Sequence, residues 1–438
     1  MLISGWGQYP YAEADILSPV SSIGLQQDFK DGKNTVCVAR GLGRSYGDSS
    51  LSSTVISTRY LNRFHCFDET AGVLTCDAGV SLDDLLSVFV PKGWFPVVTP
   101  GTRFVTVGGA IASDVHGKNH HNVGTFCDHV LSFRILIANG DVLNCSPSEN
   151  RDLFLASCGG MGLTGLILDA TFKLKRIESS FVEETTYKAA NLKECLALFD
   201  EHNSAIYSVA WIDCLKQGKE LGRSLLMLGK HSDKGGYIDL KKTAPSIPFN
   251  MPGFCLNKLS VGVFNSLYYG RVREKIQERQ VHYSPYFYPL DGIANWTRLY
   301  GAKGFVQYQF VIPKEAGLEG MTRVLDKIAQ SGAGSFLSVL KVFGKGNDNF
   351  LSFPFEGYTL ALDFKVSTRT FELLDQLDAI VHDYGGRIYL TKDARMSERV
   401  FKKGYPEWEA FQTVREKYGV LGIFSSLQSR RLGLDVEH

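Results

Sequence analysis

No apolar run in the 438 residues reaches the length of about 18 that a membrane-spanning helix needs. Charge of one sign is not in excess either: 47 Lys and Arg stand against 46 Asp and Glu, for a net +1. A nucleic-acid role, which calls for a broad basic field, is therefore disfavoured. The nine cysteines form no C-x-x-C pair, are odd in number and have no zinc-like histidine spacing. They read as mostly buried thiols in a reducing compartment, with no metal site. The first residues, MLISGWGQYPYAEAD, lack the basic and apolar regions of a secretory signal. The expectation is a cytoplasmic protein, with peripheral contact at the inner membrane face left open. Repeats and low-complexity tracts are absent. So is the phosphate loop G-x-x-x-x-G-K-[ST]; the dinucleotide pattern G-x-G-x-x-G fails as well, because Tyr46 stands where its third glycine would be.

What is present is an ordinary globular composition, 44% hydrophobic and 21% charged, on a chain long enough for two domains with separate cores. Up to residue 176, strand-like apolar runs alternate with short helical patterns, which argues hairpins and α/β elements in a mixed sheet. RILIANGDVL reads as two strands joined at Asn139-Gly140 by a two-residue turn. From residue 177 the segments lengthen. AIYSVAWIDC, GFVQYQFVIP, FLSVLKVFG and YTLALDFKV predict a second sheet, with helices over GLEGMTRVLDKIAQSG and TFELLDQLDAIVHDYGG. Residues 387–438 return to short Arg- and Lys-rich motifs, which places them back on the first domain. The division is thus 1–176, 177–386 and 387–438.

Three glycine-rich stretches stand out: VCVARGLGRSYGDSS, TPGTRFVTVGGAIASDVHGKNHHNVGTF and CGGMGLTGLI. Bare backbone lets N–H groups approach a large polar ligand, and a run of them forms an anion nest. Any one alone reads as a tight loop; three in one domain point to a large phosphate-bearing cofactor.

These three runs, with SGWG at the start, YLTKDARMS at 389–397 and the ending IFSSLQSRRLGL, resemble the decaprenylphosphoryl-ribose 2′-oxidase family of the vanillyl-alcohol-oxidase superfamily. The resemblance spans nearly the whole chain. It implies an α+β flavoprotein with an FAD-binding PCMH-type domain and a substrate domain built on an antiparallel sheet. In the first loop it assigns Arg40, Gly41, Leu42, Gly43, Arg44, Ser45 and Tyr46 to the cofactor. The second contributes Thr102, Gly108, Gly109, Ala112, Ser113, His116, Gly117, Asn119, Gly124 and Thr125. The third contributes Cys158, Gly159, Gly162, Gly165 and Ile167, and Tyr389 joins them. Several superfamily members bind FAD covalently through a first-loop histidine. Here the first histidine of the chain is His65, so the expectation is non-covalent FAD.

Oxidation of a secondary alcohol needs a hydride acceptor, a group to take the hydroxyl proton and a positive charge near the reduced ring. Lys392, Tyr46 and His116 are the catalytic candidates, Lys392 by match to the family's active-site lysine. Alternation puts Gln307 and Gln309 on one strand face, and Val339 and Lys341 on another. The amides suit sugar hydroxyls, Trp211 could stack on a ring, and Lys118 or Lys341 could meet a phosphate. Thr359 and Ala361 complete the substrate set, together with Lys392. Actinobacterial members carry cysteine where Ala361 stands, a departure that leaves the flavin chemistry untouched and bears on the substrate.

The resemblance implies oxidation of the 2′-hydroxyl of a polyprenyl-phosphate-linked sugar to a 2′-keto sugar, the first half of an epimerisation in cell-envelope polysaccharide synthesis. A short-chain reductase partner would complete the epimerisation, with oxygen or a quinone as electron acceptor. Two alternatives remain: an aldonolactone or alditol oxidase, against which the missing covalent-flavin histidine and H-W-G-K-like segment argue, and a non-catalytic flavin-binding protein.

Overall fold

The computed structural model describes residues 1–32, 35–238 and 245–435, and for Phe254 the backbone alone. Its α+β architecture holds two large antiparallel sheets and a small parallel one. The expected single mixed sheet of the first portion is in fact two sheets. Asp15–Leu17, Thr54–Ser57 and Cys37–Arg40 pair in parallel, with helix Ser22–Lys30 as the crossover. The second, antiparallel throughout, runs in the order Val142–Cys145, Val130–Leu136, Leu166–Arg176, Val73–Asp77, Phe64–Asp68, with Trp94–Pro96 paired to the far end of Leu166–Arg176. Helix Leu82–Phe89 packs Leu82, Leu85 and Phe89 into this core and starts at a Ser81–Asp84 capping box.

The hairpin at Asn139-Gly140 forms, but not with a two-residue turn. Ile137 N–H donates to the Asp141 carbonyl and Gly140 N–H to that of Ile137, which leaves a three-residue loop. Gly140, at φ +84, takes the left-handed position that such a loop places last.

The second sheet has eight strands in the order Ile276–His282, Phe181–Ala189, Ser224–His231, Tyr207–Ile212, Ser338–Phe343, Gly357–Lys365, Phe305–Pro313, Arg387–Ile388. Helices Gly317–Ser331 and Thr368–Asp383 cover one face. There Met321, Val324, Leu325 and Ile328 share a core with Tyr308, Phe310 and Ile312. The strand Phe305–Pro313 is buried on both sides, so Gln307 and Gln309 face inward rather than toward solvent. Arg387–Ile388 differs from the expected division: it pairs with Phe310 and Val311 and closes the second sheet. After it the chain returns along the first portion, where Cys37 and Leu51 hydrogen-bond to Ile423, Ser425 and Leu427. No helix among the described residues is long and apolar enough to cross a membrane.

Candidate active site

A cavity of about 910 Å³ lies between the glycine-rich loops and the inner face of the eight-stranded sheet. The first loop forms one wall because chain on either side holds it in place. Trp6 and Gly7 N–H donate to the Ser45 and Tyr46 carbonyls at 2.7 and 3.0 Å, while Tyr46 N–H donates to the Thr391 carbonyl at 3.0 Å. Glycine is required by these close approaches: a Cβ on Gly47 would lie 2.1 Å from the Asp393 carbonyl oxygen, and one on Gly5 would lie 2.3 Å from that of Gly47. Arg431 then ties Asp48 at 2.7 Å to Asp393 at 2.8 Å. Four stretches distant in sequence, SGWG, the first loop, TKDAR and SRRLG, thus form one clamp.

In the second loop, Thr106 caps helix Val107–Ala112 through the Gly109 N–H, and Gly108 and Gly109 line the cavity. In the third, Gly162 at φ +79 has open space where a side chain would stand. The same holds for Gly101. Wall positions of this kind leave the backbone bare to a ligand.

Across the cavity, Tyr46, His116, Gln307, Gln309, Lys341 and Lys392 meet. Gln307 Nε2 donates to Tyr46 Oη at 3.2 Å and to Asp363 Oδ1 at 2.6 Å. Gln309 Nε2 lies 3.0 Å from His116 Nε2 and 3.2 Å from Thr359 Oγ1. His116 Nδ1 is buried without a partner. Burial, aided by the charges of Lys341 and Lys392, holds His116 well below the usual histidine range, so the ring is neutral. Burial likewise lowers Lys392 to about 7 against the pull of Asp363, Lys341 to about 8 and Lys118 to about 7. Three desolvated lysines on one cavity wall make it a site for an anionic ligand, whose charge would restore theirs. Burial raises Asp363 to about 7 and the Tyr46 phenol well above its ordinary value.

Beyond this cluster the cavity continues as an arm lined by Trp211, Met227, Val261, Phe264, Tyr268 and Phe336. Trp211 is committed by its Nε1–H to the Phe336 carbonyl and packs 4.7 Å from Tyr268, which leaves its ring as wall.

The wall includes Gly41 to Tyr46, Thr102, Ala112, Ser113, Gly117, Gly165, Ile167, Tyr389, Val339, Ala361 and Lys118, as the sequence suggested. Other expected residues stand off it. Arg40 binds the Ser4 carbonyl and Ser50, which braces the first loop from behind. Asn119 donates to the Val97 carbonyl, Thr125 binds Asp128, and Gly124 presses on the same carboxylate. Cys158 is a buried thiol, Gly159 abuts Ser352, and Thr359 sits behind Gln309. The sequence reading missed Asp363, although it shares the alternating face of Thr359 and Ala361 and pairs directly across from Gln307. Glu184 and Arg279, also on the wall, carried no motif. Lys118 donates to the Tyr286 carbonyl and stands 4.0 Å over that ring.

Comparison with known proteins agrees with this geometry. Residues 30–146 match the FAD binding domain family. Decaprenylphosphoryl-β-D-ribose oxidase of Mycolicibacterium smegmatis is 38% identical over 99% of this chain and 97% of its own. L-gulono-1,4-lactone dehydrogenase of Mycobacterium tuberculosis is 22% identical over 98% of both chains. L-gulonolactone oxidase of Bos taurus is 24% identical over 87% of both. The bare glycine wall and the orphaned His116 nitrogen fit FAD as the cofactor.

Proposed function

The chain belongs to the decaprenylphosphoryl-β-D-ribose oxidase family of FAD-dependent oxidoreductases, and from that premise we propose that it oxidises the 2′-hydroxyl of a polyprenyl-phosphate-linked sugar to the 2′-keto sugar. FAD supplies the hydride acceptor. Residues 1–176 and 387–438 would hold it, with the backbone of Gly41–Tyr46, Gly108–Gly109 and Gly162 against its phosphates, and no histidine in the first loop to bond it covalently. Residues 177–386 would bind the substrate.

In this reading the Gln307 and Gln309 amides orient the sugar hydroxyls. Lys392 places a cation beside the hydroxyl oxygen, which gains negative charge as its proton leaves. Neutral His116 takes the hydroxyl proton at its unpartnered Nδ1, which requires the Gln309 amide to be turned so that its oxygen accepts from His116 Nε2–H. Lys118 and Lys341 meet the phosphate, and the apolar arm takes the first prenyl units. The 2′-keto product would pass to a short-chain reductase, and oxygen or a quinone would accept the electrons.

The observation that carries the proposal is the placement of three half-buried lysines and a paired, buried amide face in a cavity that continues into an apolar arm. Anaerobic titration tests it. A polyprenyl-phosphoryl ribose should bleach the yellow protein, and L-gulono-1,4-lactone should not. Bleaching by the lactone alone would make the chain a lactone oxidase; bleaching by no sugar donor would make it a non-catalytic flavin carrier.

A further inference from the structure

Helix Lys258–Gly270 separates the apolar arm from solvent and is apolar on both sides. Val261, Phe264 and Tyr268 line the cavity. On the outward side Leu259, Val263 and Leu267 recur every fourth residue and are 76%, 54% and 71% exposed. That spacing makes one continuous stripe along the helix. An aliphatic stripe this exposed is unusual on a water-facing helix, whose outer face is normally polar. No part of the described chain covers it.

The surrounding charge identifies what does. Between residues 258 and 275 stand Lys258, Arg271, Arg273 and Lys275 against Glu274 alone, 4 − 1 = +3, in a chain whose whole net charge is +1. All five are exposed. A second copy of the chain would bring two such patches together and be repelled. A surface that is apolar within and anionic at its edge is attracted by both features.

We propose that this helix docks on an anionic lipid bilayer, with Leu259, Val263 and Leu267 in the acyl boundary and the flanking arginines and lysines at the headgroups. Ile293 likewise lines the cavity and is itself 37% exposed. Docked this way, the helix makes a wall with lipid on one side and the apolar arm on the other, so a prenyl chain passes from bilayer to cavity with little contact with water. The docking rests on the outer face of the helix and not on the identity of the substrate.

Flotation of the flavin-loaded protein with vesicles of phosphatidylglycerol or of phosphatidylcholine tests it without any turnover. The protein should float with phosphatidylglycerol vesicles and much less with phosphatidylcholine. Leu259→Ser with Leu267→Ser should weaken flotation by about tenfold. Arg273→Glu with Lys275→Glu should weaken it by about fivefold or more on the anionic vesicles. Unchanged flavin content shows that these variants fold, and Val20→Ser with Ile23→Ser, exposed apolar residues of the first portion, should float as the parent does. Failure of the parent to float, equal flotation of the Leu259/Leu267 variant, or a concentration-dependent dimer that this variant abolishes would each overturn the proposal, the last in favour of a self-interface.

Discussion

Lys392 holds its ammonium 4.0 Å from the centre of the Tyr46 ring, in a network that Gln307 extends to Asp363. Burial pushes the lysine down and the aspartate up to about 7 each, while their mutual attraction opposes both shifts.

Lys392→Ala should keep the fold and the flavin spectrum and slow anaerobic bleaching by roughly 10² to 10³, the loss seen when a comparable electrostatic donor is removed. Lys402→Ala and Lys403→Ala should stay within about twofold, since Lys402 pairs with Glu398 on a helix surface. Because the cation is the working form, the bleaching rate should fall as pH rises through about 7. Stopped-flow reduction measures both, and a rate that rises across that range would make Lys392 a base instead.

Asp363 should leave a signature in stability. Its folded carboxyl keeps its proton up to about 7, whereas the unfolded chain releases it near the ordinary 3.8. Between those values the native state binds more protons, so stability declines as pH rises from about 4 to about 7. Asp363→Asn should flatten that decline, as followed by thermal unfolding at a series of pH values. An unaltered slope would assign the decline to other groups.

The glycines divide by geometry. Gly43 has φ +63, and a Cβ there would meet the Arg40 guanidinium at 2.3 Å. Gly43→Val should therefore lower flavin occupancy through the backbone and the brace together. Gly24→Ala, with open space, no positive φ and no place on the cavity wall, should retain full flavin. The ratio of flavin to protein absorbance reads the difference.

Arg431→Ala removes the cation between Asp48 and Asp393, whose side chains are only 5% and 3% exposed. Two buried carboxylates left facing each other should cost about 3–5 kcal/mol, measured by urea unfolding. The first loop should loosen with it, so flavin occupancy should also fall. A loss under about 1 kcal/mol would mean that the clamp is not held by this arginine.

The flavin should leave the protein on acid precipitation and colour the supernatant, because the cavity face of the first loop, Gly41 to Tyr46, offers no histidine. Colour retained in the washed pellet would locate a covalent bond elsewhere.

Much of the site was legible because its demands are local. Bare backbone for a phosphate-bearing ligand can be written only as glycine and small residues, and the three loops announce it. Alternation along 305–313 placed Gln307 and Gln309 together before any fold was known. Asp363 was open to the same reading, but a single acid in an apolar strand looks like any strand-end residue until its partner across the sheet is known. Arg40, Asn119 and Thr359 show the opposite error: they lie in the right motifs but point away from the ligand, because a motif contains both the residues that line a wall and those that brace it.

Composition, glycine placement and strand period thus indicated by themselves a two-part chain of mixed strands and helices, with glycine-rich loops suited to a phosphate-bearing ligand in the first part, an amide-bearing strand in the second and no spanning helix. Each follows from interactions within a few residues. The α+β class came from the resemblance. Tertiary structure decided the rest. The Asp48–Arg431 tie joins residues 383 apart, the shifted proton affinities of Lys392 and Asp363 come from burial by several strands at once, and the apolar arm exists only where helix 258–270 lies over Trp211. Desolvation depends on everything that surrounds a group, and no neighbourhood in sequence contains that.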